Sequence, residues 1–335
     1  MSGENLILIT GATGTVGPFV VKAFHVAGYS IRTLSIDSPP VGIWPVDIET
    51  RIGDVSDASV VKPAMDGVES VIHLAALLHI VNPTPAQKEK YERINVGGTA
   101  TVIDAAIQAG VRRAVLFSTI AVYGQSDGRI LTEDSPPHPD TFYARTKRDA
   151  EEIVLEAKRA DGGRLGTVLR LGAVYGPRVK GNYQRLVHSL ERGRFVPVGN
   201  GDNRRTLVYV KDVARAAVVA ASHDAAAGKI FNVSNGRFHT MNDIIGTICN
   251  ALGRRPPRFS LPVGPTCRLV GFVETGCRSI GLKSPVTQGM IDKYTEDIAV
   301  SGGLIQKELG FAPQYDLQTG WNETISEMRR NGHLQ

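Results

Sequence analysis

A chain of 335 residues, 42% apolar and 21% charged, is long enough to bury a core spread over two lobes, and it is neither disordered nor fibrous in composition. No apolar run approaches the length of a membrane span, so a soluble protein with no membrane partner is expected. The formal net charge of +5 favours an anionic ligand; nucleic acid is set aside, because the basic residues are scattered and only Arg254-Arg255-Pro-Pro-Arg258 forms a cluster, without stacking aromatics around it.

The first segment, Leu6-Ile-Leu-Ile-Thr10-Gly11-Ala12-Thr13-Gly14-Thr15-Val16-Gly17, runs an apolar strand into a glycine turn and a helix start within twelve residues. This reads as a dinucleotide cradle with glycines at spacing three, G-x-x-G-x-x-G. Gly11 is expected to make the tight turn, Gly14 to let the backbone approach a pyrophosphate, and Gly17 to let the helix pack closely. The phosphates would lie on the free N–H groups of the helix N-terminus. No signal peptide precedes this strand.

Alternating strand and helix patterns follow. Strands are expected over 5–10, 30–36, 50–53, 70–75, 113–118 and 166–171, and helices over 16–27, 58–65, 87–109 and 142–159, the order of a parallel sheet with crossover helices. The strand over 113–118 ends in Ser118-Thr119, where a hydroxyl points into the ligand crevice of an α/β sheet. Tyr143 and Lys147 stand four apart at the start of the next helix and share a face. A fixed ammonium there favours the phenolate and brings the tyrosine towards working pH, so that it can take a proton from an alcohol while hydride leaves the same carbon. Thr119 would hydrogen-bond the substrate oxygen.

Beyond residue 176 the pattern loosens. Helices are expected over 182–192, 213–222 and 241–252, with strands over 207–210 and 229–233. The remainder, with Pro256, Pro257, Pro262, Pro265 and Pro285, reads as loop-rich, and the apolar stretch 262–276 is assigned to lobe packing rather than to a lid. Cys249, Cys267 and Cys277 show no C-x-x-C spacing, which suggests reduced thiols, a cytoplasmic setting and no metal site. Residues 1–176 are expected to form the cofactor domain and 177–335 mainly a substrate lobe, with some segments returning to the first sheet.

Together these residues resemble the extended short-chain dehydrogenases/reductases of the nucleotide-sugar epimerase/dehydratase group, UDP-glucose 4-epimerase among them. The resemblance rests on nine ordered pieces: the glycine loop, Gly53-Asp54-Val55, His73-Leu74-Ala75-Ala76, Asn95-Val-Gly-Gly-Thr99, Ser118-Thr119 with Val122-Tyr123-Gly124, Tyr143 with Lys147, Arg170 with Val174-Tyr-Gly-Pro177, Arg205 with Val208-Tyr-Val-x-Asp212, and Leu309-Gly-Phe-x-Pro313. It implies a Rossmann-type doubly wound parallel sheet with a smaller C-terminal α/β lobe that binds substrate.

It also implies a Thr119/Tyr143/Lys147 catalytic set, with Lys147 contacting the nicotinamide ribose. The cofactor implied is NAD, with NADP as the alternative, held by Gly11, Thr13, Gly14, Thr15, Val16, Gly17, Asp37, Asp54, Val55, Leu74, Ala75, Ala76, Asn95, Tyr143, Lys147, Leu171 and Val174. Asn95 would support the active-site helix, and Arg205 would grip a substrate diphosphate with its bidentate fork. Ser118, Asn182 and Arg185 are further substrate contacts by resemblance. A homodimer pairing the helices over 87–109 and 142–159 is implied as well.

The chain departs from the group at three places. Ser35 stands where an acid usually binds the adenosine ribose, with Asp37 two residues on, and Arg32 is expected to point into the structure or to one side by strand alternation, a poor partner for a 2′-phosphate. Leu171-Gly172-Ala173 replaces an asparagine that contacts substrate phosphates in many epimerases. Ile120 and Ala121 replace the acidic pair that follows the threonine in dehydratases, which removes the groups needed to eliminate water. The activity implied is UDP-hexose 4-epimerisation through a transient 4-keto sugar, with a 4-keto reductase and a catalytically silent cofactor-bound sensor as alternatives.

Overall fold

The computed structural model describes residues 5–45, 47–78, 80, 83–279, 282, 284 and 287–334. A seven-stranded, all-parallel sheet runs in the order β3-β2-β1-β4-β5-β6-β9, from β1 (Leu6–Thr10), β2 (Ser30–Ser35), β3 (Glu49–Ile52), β4 (Ser70–His73), β5 (Arg113–Thr119), β6 (Gly166–Leu171) and β9 (Ile230–Val233). Apart from edge strand β3 these strands are almost wholly buried, the pattern that covering both faces of a parallel sheet with helices demands. One face is packed by α1 (Gly17–Val26), α7 (Val210–Ser222) and α11 (Gly303–Leu309), with Phe24, Val213 and Phe231 in that core. The other is packed by α2 (Ala58–Ala64), α4 (Gly98–Gln108) and α5 (Phe142–Glu156), around Val61, Val102 and Val154.

The chain reverses direction across the sheet between β1 and its two neighbours β2 and β4, so the crevice beyond their carboxyl ends is a topological switch point. The glycine turn after β1 sits there. Gly11 has φ +69°, and a Cβ on it would lie 2.7 Å from the Ala75 backbone; both observations require glycine.

A second sheet, β10-β8-β7, is built from β7 (Ala173–Tyr175), β8 (Arg204–Tyr209) and β10 (Phe238–Thr240). It carries α6 (Asn182–Glu191), α8 (Met241–Leu252) and α12 (Leu317–Arg330) around Tyr175, Tyr209 and Trp321. Tyr175 and Trp321 stack with centroids 4.6 Å apart. β7 and β10 are too short to show an alternation, and β7 begins at Ala173, before the boundary expected at residue 176.

Two expectations are corrected. The helix expected over 87–109 is α3 (Pro85–Tyr91) and α4 joined by a π-helical turn at Glu92–Gly97. The C-terminal part is helical rather than loop-rich: α9 (Val263–Ser279), α10 (Gln288–Thr295), α11 and α12 lie there. Pro265 falls in the first turn of α9, where a missing N–H costs nothing, so proline marked a helix start and not a loop. Pro285 lies outside the described residues.

Trp321 is 1% exposed and is a centre of the small-lobe core. Trp321→Ala is expected to lower the free energy of unfolding by about 3–5 kcal/mol in urea titration, as removal of a large buried aromatic does. A loss below about 1 kcal/mol would show that the lobe repacks freely.

Candidate active site

The site is assembled along the carboxyl edge of the large sheet. No side chain caps α1 and its first turn holds no acid; Pro18 has no N–H and the Phe19 N–H is taken by the Val16 carbonyl (3.1 Å), so among the described residues the Gly17 N–H is the one left at this helix start for an anion. Within the preceding loop Gly14 donates its N–H to the Gly11 carbonyl (3.0 Å), and a Cβ on Gly14 would meet only that oxygen, at 3.1 Å. On Gly17 a Cβ would fall 2.1 Å from the Ala12 carbonyl, so this glycine serves close packing of the helix on its own loop. These features fit a pyrophosphate.

On the neighbouring strand Ser35 accepts a hydrogen bond from the Thr13 N–H (3.2 Å), and Asp37 lies exposed two residues past it. Arg32 is buried, donating to Glu49 (2.7 Å) and to the carbonyls of Ala64 (2.9 Å) and Asp66 (2.6 Å). Arg51 donates to the same Glu49 (2.8 Å). Asp54 accepts from Ser56 N–H (2.9 Å) and pairs with Arg93 (2.9 Å); burial works against its charge, but these partners hold the carboxyl below its ordinary range. Val55 is buried beside it and packs towards Gly98.

A polar relay then crosses from β1 to α5. Thr99 donates to the Asn95 carbonyl (2.6 Å), so its oxygen accepts from His73 Nε2 (3.1 Å), which must carry the ring proton. His73 Nδ1 therefore accepts from the Thr10 hydroxyl (2.7 Å). Burial, seconded by the Lys147 charge, lowers the His73 pKa to about 3, so the ring is neutral. Asn95, in the π turn, accepts from Leu77 N–H (2.7 Å) and donates to the Leu77 carbonyl (3.2 Å) and to Thr146 of α5 (3.1 Å). Leu74, Ala75 and Ala76 form the segment that this clamp holds beside the glycine loop. His73 was present in the sequence motif, but its role depends on partners 63 and 26 residues away.

Tyr143 and Lys147 lie one turn apart in the first half of α5, which Thr141 caps by accepting from Ala144 N–H (3.1 Å). Lys147 is 3% exposed, and desolvation lowers its pKa to about 8. The Tyr143 phenol is shifted upward, burial being the main cause and nearby Tyr91 the second. The expected lowering of Tyr143 by Lys147 is thus corrected: the low dielectric that weakens the ammonium also weakens the phenolate. Thr119, at the end of β5, is partly exposed, and its hydroxyl accepts from Ala121 N–H (3.2 Å).

Ser118, expected among the substrate contacts, lies buried on the side of β5 away from Thr119, as strand alternation requires, and donates to Glu151 of α5 (2.5 Å). Glu151 in turn receives a two-pronged bond from Arg170 of β6 (2.6 and 3.0 Å), whose guanidinium lies 4.6 Å from the Tyr123 ring centroid. Leu171 ends β6 and Val174 lies in β7, at the edge where the two sheets meet.

On the small lobe Arg205 is only part-exposed, and its fork is already engaged: it donates to the carbonyls of Lys293 and Glu296 at the end of α10. Its Nε and the hydroxyl of Tyr294 are buried without a hydrogen-bond partner among the described residues, which marks this corner as a place for a polar ligand. Arg204 pairs with Asp297 (2.6 Å). Asn182 and Arg185 lie exposed on α6.

Residues 7–234 match the NAD dependent epimerase/dehydratase family. The chain belongs to that family. Among its relatives, a UDP-glucose 4-epimerase of Vibrio cholerae is 28% identical over 331 residues, 95% of this chain and 94% of that one. A dTDP-glucose 4,6-dehydratase of Streptomyces griseus is 29% identical over 334 residues, covering 96% and 93%. The solved structure of MoeE5 in complex with UDP-glucose and NAD superposes with a TM-score of 0.75 at 26% identity, covering 97% and 99%. This member of the family is thus an extended short-chain enzyme whose sheet, glycine turn and cofactor class are those of NAD-dependent epimerases and dehydratases.

The relay gives this family member an acid sensitivity with a defined sign. The folded state keeps His73 neutral down to about pH 3 whereas the unfolded chain protonates it near 6.5, so the unfolded state binds more protons in that window and stability falls as pH is lowered through it. His73→Gln is expected to reduce the slope of unfolding free energy against pH by about 1.4 kcal/mol per unit there. An unchanged slope would mean that the ring does not stay neutral.

Proposed function

We propose that this protein is an NAD-dependent 4-epimerase of a UDP-linked hexose. The observation that supports the reading is that Thr119 ends β5 and Tyr143 and Lys147 stand one turn apart in the first half of α5, while the residues directly after Thr119 are Ile120, 7% exposed, and Ala121. Acid–base groups suited to moving one proton are present there, and the carboxylates that a dehydratase uses to expel water are not at those positions.

NAD when bound supplies hydride acceptance and return, together with a cationic ring in its oxidised form. Tyr143 takes the proton of the sugar 4-hydroxyl through its phenol oxygen, and Thr119 holds that oxygen in line. The Lys147 ammonium, charged at neutral pH with a pKa of about 8, stabilises the phenolate that the buried phenol otherwise resists. On the return step Tyr143 gives its proton back to the 4-oxygen of the keto sugar, whose opposite face would meet the hydride that NAD supplies when bound. Tethering through the diphosphate near Arg205 leaves the hexose free to turn between the two steps. The pairing of Arg32 and Arg51 with Glu49 supports NAD over NADP, since neither guanidinium is held ready for a 2′-phosphate.

Two experiments test this. Purified protein incubated with UDP-sugars and followed by NMR should interconvert 4-epimers without consuming added NADH, and Tyr143→Phe should slow turnover by about 10²–10⁴-fold while still binding NAD. Stoichiometric NADH consumption identifies a keto reductase, and wild-type turnover by Tyr143→Phe removes the tyrosine from the chemistry. We also infer a homodimer through α3–α4 and α5, whose outer faces carry exposed Asp104, Ile107, Arg145 and Asp149. Light scattering should then give twice the 36.0 kDa chain mass, and a monomer mass at micromolar concentration would count against it.

A further inference from the structure

The stretch 262–276, expected to pack the lobe, packs only one side of its helix and leaves its apolar arc in water. The half-buried side of α9 holds Cys267, whose carbonyl accepts from Gln288 (3.2 Å), Val270, Gly271, and Glu274, which accepts from the Gln288 N–H (3.2 Å). Leu269, Phe272 and Val273 point outward, with Leu269 65% and Phe272 78% exposed. At 100° per residue these three fall within one arc, which also holds Pro265 and Gly276 and no charged residue. A helix of a soluble lobe places its apolar stripe against the core. Here the stripe faces water, and Phe259, 84% exposed, lies on the segment leading into it.

The same stretch holds the protein's entire excess charge. Residues 253–290 contain six arginines and lysines and a single carboxylate, Glu274; the rest of the chain has thirty-two of each sign and is neutral. Arg254, Arg255 and Arg258 are exposed before Phe259, and Arg268 is exposed on the flank of the apolar arc.

We propose that α9 and the arginine segment before it form a docking surface for an anionic phospholipid bilayer, with Phe272, Leu269 and Phe259 entering the boundary between headgroups and acyl chains and the arginines meeting lipid phosphates. An apolar arc flanked by cations is the composition of an interfacial helix, which lies in the membrane surface and needs no spanning length. A second copy of the chain fits this face poorly, since two surfaces each carrying the whole positive excess would repel. A nucleic-acid strand would use the arginines and leave the Leu269–Val273 ridge in water. Docking also sets the substrate corner at the membrane surface, because α9 packs on α10 and the carbonyls at the end of α10 hold Arg205.

The test is pelleting of the full-length chain with vesicles of phosphatidylcholine alone and of phosphatidylcholine mixed equally with phosphatidylglycerol, a readout independent of turnover. Binding is expected to the anionic vesicles, weak on the neutral ones, and to decline as salt is raised. Phe272→Asp and Leu269→Asp, both at exposed positions, should each lower the vesicle partition coefficient by about tenfold or more at an unchanged melting temperature. Replacing Arg254, Arg255 and Arg258 by Ala should bring anionic binding down to the neutral-vesicle level. The proposal is overturned by absence of pelleting with anionic vesicles, by equal binding of Phe272→Asp, or by a wild-type protein that ignores vesicles and is converted from dimer to monomer by Phe272→Asp.

Discussion

The buried pair of Glu151 and Arg170 sets the position of α5, and with it of Tyr143 and Lys147. Glu151 is wholly enclosed and Arg170 is 2% exposed, yet the pair spans α5 and β6 with three nitrogen–oxygen contacts, 2.6 to 3.2 Å long. Desolvating two charges is costly, and a pair of this kind breaks even only with good geometry and with the remaining lone pairs occupied. Here Ser118 fills one position on the carboxylate, and the Tyr123 ring lies against the guanidinium. Removing one partner would leave the other charged and buried, at a cost of roughly 3–5 kcal/mol. The pair therefore acts less as a source of stability than as a fixed register: Glu151 stands one turn after Lys147 and two after Tyr143, so its bond to β6 fixes the rotation of α5 about its own axis. The orientation of Tyr143 and Lys147 is thus set by a contact one and two turns further along the same helix.

Rotation is fixed at one end of α5 and distance at the other. The Thr10–His73–Thr99–Asn95–Thr146 relay ties the strand that leads into the glycine loop to the first turns of α5. Each member has its donors and acceptors matched, which is the condition for a buried polar network to rigidify rather than destabilise. The π turn is what brings Asn95 into that chain: widening the helix by one residue lets its side chain face the backbone of Leu77 while its neighbours keep α4 on the sheet. A cofactor lying between the glycine loop and α5 would thus meet two walls whose spacing is set from behind.

What the sequence made legible was local. The strands expected over 30–36, of which β2 covers Ser30–Ser35, and over 166–171, the glycine turn and the Tyr143 and Lys147 spacing all follow from periodicity or from one turn of helix. What it hid depends on partners far along the chain. Ser118 resembled a site residue because it adjoins Thr119, though alternation alone places adjacent residues of a strand on opposite faces, and the buried Glu151 explains why a serine is there. Arg205 looked like a free fork; its partners lie on a helix that proline content had suggested was a loop. The π turn leaves no periodic trace within six residues. For α9 the amphipathic rule was applied with the wrong solvent in mind, since an apolar arc identifies a face but not what covers it.

The distribution of charge changes how anions reach the site. A basic protein whose cations are scattered attracts anionic solutes from all directions, with a field that salt screens within about 10 Å. This chain is instead neutral in sum over most of its length, and its whole positive excess lies on one segment beside the small lobe. Its field is that of a positive charge set to one side of the molecule, which orients the molecule as well as attracting it. An extended anionic surface would turn the α9 face towards itself before contact, and a small diphosphate would be drawn first to the flank of α10, next to Arg205 and Tyr294. The short-range donors lie elsewhere: the Gly17 N–H at the start of α1, the Arg205 Nε and the Tyr294 hydroxyl, the last two without a hydrogen-bond partner among the described residues. Long-range attraction and short-range fit are carried by different parts of the chain, so substitution of the exposed arginines should alter the rate and salt dependence of encounter while leaving the acid–base chemistry of α5 untouched.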